Sequence, residues 1–186
     1  MPLPDWLLLL VMHRGSIPLA HTNLINMNIF YLHEDPSVAA SYMYDKHVVK
    51  MILESAQMLC TAHHHYGNGD NVPYKKAHYN HPSTKWVRDN QLNYYWLYIH
   101  MLALGEEYTR RYCKKHLTIT KCTDALEQAP ISMPTGRHIT QPPQCMPDEY
   151  KADDSVDAYW NYYIGEKHSV ANKNEHIKTM KFTWKI

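Results

Sequence analysis

Asp35-Pro36-Ser37-Val38-Ala39-Ala40-Ser41-Tyr42-Met43-Tyr44-Asp45-Lys46-His47-Val48-Val49-Lys50-Met51-Ile52-Leu53-Glu54-Ser55-Ala56-Gln57-Met58-Leu59-Cys60-Thr61 is the stretch that decides the fold. Its pattern predicts one long helix. Asp35 caps the free amides, and Pro36 suits the first helical position, where a missing N–H has no partner to lose. At about 100° per residue, Tyr44, Val48, Met51, Ile52, Ser55, Leu59 and Ala62 fall on one side. Val49, Leu53, Ala56 and Cys60 widen that side past half the circumference, so a mostly buried helix is expected. A narrow polar strip remains, made of Lys46, His47, Lys50, Glu54, Gln57 and Thr61.

The strip mixes residue kinds. His47, Lys50 and Glu54 recur three and four apart, so their side chains meet on one face. An imidazole, an amine and a carboxylate on a rigid helix suit acid–base chemistry or an anionic substrate. The same residues also fit a solvated face with an ordinary Lys50–Glu54 pair.

A second long helix is expected from Asn80-His81-Pro82-Ser83 to about Lys115. Trp86, Val87, Tyr94, Leu97, Met101, Leu104 and Tyr108 give its apolar stripe, and Asn90 interrupts it. Its basic end, Arg110, Arg111, Lys114, Lys115 and His116, opposes the negative end of the helix dipole and can also meet phosphate. Its basic, aromatic-flanked entry holds Lys75, Lys76, His78, His81, Lys85 and Arg88. If the two long helices pack antiparallel, that entry approaches the strip, and one groove holds His47, Lys50, Glu54, His81 and Arg88.

Around these helices the chain reads as other local structure. Asn28 to Leu32 forms a short strand or extended lead-in, and Leu117 to Gln128 a weak helix. Pro130 to Pro147 is a long ordered loop anchored by Ile139, Met146 and Tyr150, and it leads to a third cluster at Gln144, Asp148, Glu149 and Tyr150. Asp153-Asp154-Ser155 caps a third helix from Val156 to about Lys167. Val156, Tyr159, Trp160 and Tyr163 turn inward, and Tyr162 and Lys167 face elsewhere. The expected fold is a single all-α domain: two long antiparallel helices, a C-terminal helix and a long proline-rich loop. It spans residues 27–168, with an extension at 1–26, Met27 as the natural start, and a tail at 169–186 in which Met180, Phe182 and Trp184 dock locally or fray.

Composition narrows the function. Apolar content of 45% is that of a globular chain. The 15 Tyr and 5 Trp against 2 Phe suit wet grooves and stacking surfaces. A net charge of +1 carries no global nucleic-acid signature, so any basic site is local. Trp6 to Met12 is too short an apolar run to span a bilayer and lacks the basic lead of a secretory signal. Cys60, Cys113, Cys122 and Cys145 show no C-x-x-C spacing and read as reduced thiols. No phosphate-binding loop, dinucleotide fingerprint, nucleophile elbow or zinc motif is present. His78 and His81 have a spacing that permits metal ligation, but no Cys or carboxylate completes a set.

Asn28-Ile29-Phe30, Asp45 through Glu54, Asn80-His81-Pro82, Trp86-Val87-Arg88 and Tyr162 through Lys167 resemble a family of phage-encoded proteins. In layout the chain is similar to the pyrimidine-dimer DNA glycosylases of the endonuclease V type, small all-helical repair enzymes. The resemblance implies that Glu54 or a near neighbour is the catalytic carboxylate, with Lys50, Arg88 and Lys167 on DNA phosphates. It implies attack on the sugar C1′ by the α-amine of a processed N-terminus, a Schiff base, and strand cleavage by β-elimination. This chain departs from that pattern, because Asn28 stands where the family presents Thr after the removed Met. Lys46 or Lys50 is then the amine expected to replace the terminus.

The leading expectation is a phage-type DNA- or nucleotide-directed enzyme, a glycosylase/AP lyase for damaged or modified pyrimidines. Glu54, His47 and Lys50 are its catalytic residues, and Lys46, His81, Lys85, Arg88 and Lys167 its phosphate contacts. It would need no cofactor or metal, meet no membrane, and work in the host cytoplasm. Two other classes fit parts of the sequence. One is a non-enzymatic accessory protein binding nucleic acid or a host factor through its Tyr-rich surface and proline-rich loop. The other is a metal-dependent hydrolase using His78, His81 and one of His63 to His65.

Overall fold

The computed structural model describes residues 27–170. The 1–26 extension and the tail residues Met180, Phe182 and Trp184 lie outside the described residues. Within them the fold is all-helical and no strand forms. The helices are α1 (Pro36–Ser41), α2 (Asp45–His65), α3 (Pro82–Asp89), α4 (Gln91–Tyr112), α5 (Leu117–Leu126) and α6 (Ser155–Gly165), with short 3₁₀ turns at Gly69–Asn71, Asp148–Tyr150 and Lys167–Val170. None of these helices is long and apolar enough to cross a membrane.

The expected first helix is two. Asp35 caps α1 through bonds from the Ser37 and Val38 amides, as its sequence predicts. The chain then leaves helical geometry at Tyr44, where ψ is 150°. Tertiary bonds compensate for the lost helical ones. The Tyr44 N–H donates to Tyr163 Oη at 2.7 Å. Arg111 Nη1 donates to the Met43 carbonyl at 2.7 Å, and its Nη2 to that of Ser41 at 3.3 Å. The second helix also breaks, at Asn90, which adopts extended backbone and accepts from the Leu92 and Asn93 amides. The polar interruption in the stripe is the N-cap of α4.

Helices α2 and α4 are the antiparallel pair around which the core is built. His63, near the end of α2, bonds Tyr94 near the start of α4, and Asp45 at the start of α2 pairs with Arg111 at the end of α4. Val48, Met51, Ile52, Leu59, Leu97, Met101 and Leu104 fill the space between, all fully buried. Helix α5 closes against α4 at Gly105, where a Cβ would lie 2.7 Å from Ile119.

The buried face of α2 is narrower than its apolar residues predict. Val49 and Leu53 are exposed, at 37% and 39%. Thr61, expected in the polar strip, is fully buried and donates to the Gln57 and Ala77 carbonyls. Tyr162, expected to face away, is also fully buried on α6.

The long loop is ordered by polar bonds more than by the three anchors. Asn93, fully buried, donates to the Trp86 carbonyl and to Thr140 Oγ1, and accepts from the Thr140 N–H. Gln144 closes a two-way bond with the Ala152 backbone. Met146 is buried, whereas Ile139 is exposed. The loop thereby brings the Cys145 carbonyl onto the Asn28 side chain, 2.9 Å away.

Candidate functional site

Residues 27–30 do not form a strand. They are a buried irregular segment, and Phe30 lies against the first half of α2. Asn28 Oδ1 accepts from the Ile29 and Phe30 amides at 2.8 and 3.1 Å, which holds Phe30 at a φ of +52°. A bulky residue in left-handed backbone is strained and persists only where its surroundings over-determine it. Here the Phe30 ring stacks on His47, centroids 4.6 Å apart and planes 18° from parallel.

His47 is 7% exposed and lies 2.9 Å, at Nδ1, from Tyr163 Oη. Burial, then the charges of Lys167 and Lys50, lower its pKa to about 4. It is a neutral imidazole at physiological pH.

One to two turns along, Lys50 and Glu54 pair at 3.0 Å. The partners are unequal: the Lys50 side chain is 55% exposed and that of Glu54 only 13%. Glu54 Oε2 is buried with no hydrogen-bond partner among the described residues. Burial raises the carboxyl's proton affinity, and Lys50, His78 and the backbone amide of Asn28 offset this only in part. His78 carries its own strain, at a φ of +47°. Two of the three non-glycine residues with positive φ among the described residues thus flank this edge of α2.

The remaining predicted residues divide. Lys46 is exposed on α2, and Lys85 on α3. Lys167 lies over the Tyr162 ring at 4.5 Å, bonds Glu166, and is close enough to His47 to depress its protonation. His81 is buried as the N-cap of α3, where Nδ1 accepts from the Ser83 amide. Arg88 is not brought to the strip. It is buried, donates to the Tyr79 carbonyl at 2.6 Å and stacks on the Tyr79 ring at 4.0 Å. Tyr79 in turn bonds His65 at the far end of α2, about 27 Å along the helix from His47.

The three successive histidines also part. His63 meets Tyr94, His64 the Tyr74 carbonyl, and His65 Tyr79. Among the described residues no three His, Cys, Asp or Glu side chains converge on a position for a metal ion.

Helix α2 thus gathers His47, Lys50 and Glu54 along one half-buried edge, closed by residues 28–30 and by the end of α6. A family model described as pyrimidine dimer DNA glycosylase matches residues 27–120, just over half of the chain. The chain belongs to the pyrimidine dimer DNA glycosylase family. No curated protein and no solved structure matches it. The glycosylase match begins at Met27, in the buried lead-in, and takes in every predicted site residue except Lys167.

Helical spacing groups His47, Lys50 and Glu54 but carries no sign of Asn28, Phe30 and Tyr163. These lie in two segments that carry the resemblance, Asn28-Ile29-Phe30 and Tyr162 through Lys167, yet no spacing brings them to His47, which Tyr163 reaches across 116 residues.

Proposed function

We propose that the protein removes damaged pyrimidines from DNA and cleaves the resulting abasic strand, with Lys50 as the amine and Glu54 as its proton partner. The observation that carries this reading is the 3.0 Å Lys50–Glu54 pair on a partly desolvated edge of a family member. An ammonium is no nucleophile until it loses a proton. Glu54 is placed to take it. Burial favours the protonated carboxyl, so Glu54 is the neighbour suited to hold that proton.

The neutral amine then attacks C1′, and the glycosidic bond breaks with its electron pair leaving on the base, which takes the proton that the attacking nitrogen sheds. Opening of the sugar ring gives a protonated imine between Lys50 Nζ and C1′, with the proton on Glu54 passing to the departing ring oxygen. The Glu54 carboxylate so regenerated takes a C2′ proton, and the 3′ phosphate is expelled with the bonding pair by β-elimination. Lys46, Lys85 and Lys167 are the phosphate contacts in this reading.

A second amine is supported by one observation, the closeness of the Asn28 backbone N–H to Glu54. In a chain processed to begin at Asn28, that nitrogen is an α-amine beside the same carboxylate. Incubation with ultraviolet-irradiated plasmid tests the function itself. The reading predicts nicking that depends on irradiation and on Glu54, and equal nicking of unirradiated plasmid contradicts it.

A further inference from the structure

Two segments far from His47 in sequence converge on its ring, and the bonds of one of them decide which of its nitrogens carries the proton. The Phe30 ring covers one face at 4.6 Å. The Tyr163 hydroxyl sits 2.9 Å from Nδ1. Tyr163 is itself fully buried, and its oxygen already accepts from the Tyr44 N–H at 2.7 Å. A backbone amide can only donate. If His47 also donated to that oxygen, the phenolic hydrogen would be left buried, its only hydrogen-bond partners among the described residues being those two nitrogens. Leaving such a donor unmade is costly. The satisfied arrangement has Tyr163 O–H donating to Nδ1, which leaves the proton of the neutral ring on Nε2.

We propose that Tyr163 is a positioning residue that locks His47 as a neutral Nε2–H donor, and that this N–H binds an oxygen of the DNA substrate beside Lys50. His47 is then a fixed dipole, neither general base nor cation. The role toward DNA rests on the glycosylase reading, whereas the tautomer does not. The charged groups facing His47 are Lys50 from its own helix and Lys167 from the turn after α6, both opposing its protonation. Its other close neighbours, Phe30, Tyr44 and Tyr163, are aromatic.

Nitrogen NMR of histidine-labelled full-length protein tests the lock, with the His47 signals assigned by their loss in His47→Gln. The wild type is expected to show a pyrrole-like Nε2 and a pyridine-like Nδ1, unchanged from neutral pH to about pH 5. Tyr163→Phe is expected to mix the tautomers, raise the ring's titration toward the ordinary histidine range, and slow borohydride trapping of abasic DNA about three- to tenfold, the worth of one hydrogen bond. A protonated Nδ1 in the wild type, titration near the ordinary value, or an unchanged tautomer in Tyr163→Phe overturns the proposal. If Tyr163→Phe does not fold, the wild-type tautomer decides alone. A wild type with the expected tautomer that traps no abasic DNA overturns the glycosylase reading and leaves Tyr163's control of His47 standing.

Discussion

Lys50 Nζ and Glu54 Oε1 lie 3.0 Å apart, one largely in solvent and the other largely out of it. A surface pair of this spacing contributes little to stability and is common on helices. The unequal burial makes this one different, because the carboxylate is held where its charge is poorly solvated and its second oxygen has no hydrogen-bond partner among the described residues. Such a group retains its charge mainly through Lys50.

Glu54→Gln should therefore separate stability from activity. Because the folded state raises the Glu54 pKa, the carboxyl favours folding most below its unfolded pKa and loses that contribution as pH rises through the folded value. Replacing it with a neutral amide should leave thermal stability at pH 7 unchanged or higher. Trapping of abasic DNA should fall by about two to four orders of magnitude. A calorimetric scan beside a trapping assay checks both.

Acid should unfold the protein through its buried histidines. Burial lowers His47 and His63 to about 4 and His100 to about 3, and all three sit near 6.5 in the unfolded chain. The unfolded state then binds more protons, so stability is intact above pH 6.5 and is lost as pH falls toward 4. The urea midpoint should drop steeply across that window, and His100→Leu should flatten the drop.

The helix order, the all-α class and the antiparallel α2–α4 pair were legible because they rest on periodicity and end signals. The breaks at Tyr44 and Asn90 were not, since each is stabilised by partners distant in sequence, Tyr163 and Arg111 in the first case and the proline-rich loop near the second. The same limit applies to the site. Lys50 and Glu54 share a helix and could be paired by counting, whereas Phe30 and Tyr163 reach His47 only through tertiary packing. Arg88 shows the converse: a cation on the expected helix whose guanidinium is bound by Tyr79 and does not reach the α2 strip.

Arg111 should prove to be the main polar tie between the ends of α2 and α4. It pairs with Asp45 and Glu107 and donates to the Ser41 and Met43 carbonyls from an 11% exposed side chain. Arg111→Met should cost about 3 kcal/mol in chemical denaturation. Arg111→Lys should recover little of it, because a single ammonium cannot serve the forked set.

Asn93 should control the loop. Asn93→Ala orphans the Trp86 carbonyl and the Thr140 backbone N–H and should cost about 2 kcal/mol or more. Limited proteolysis should cut the variant first between residues 130 and 147, at protease levels that leave the wild type whole.

In the proposed reaction a lysine on α2 forms the covalent bond to DNA. Borohydride trapping on a duplex with a single abasic site, followed by peptide mapping of the adduct, tests it directly. One cross-link is expected, on the peptide containing Lys50 and abolished by Lys50→Ala. An adduct on the α-amine of Asn28, or undiminished trapping by Lys50→Ala, would contradict it.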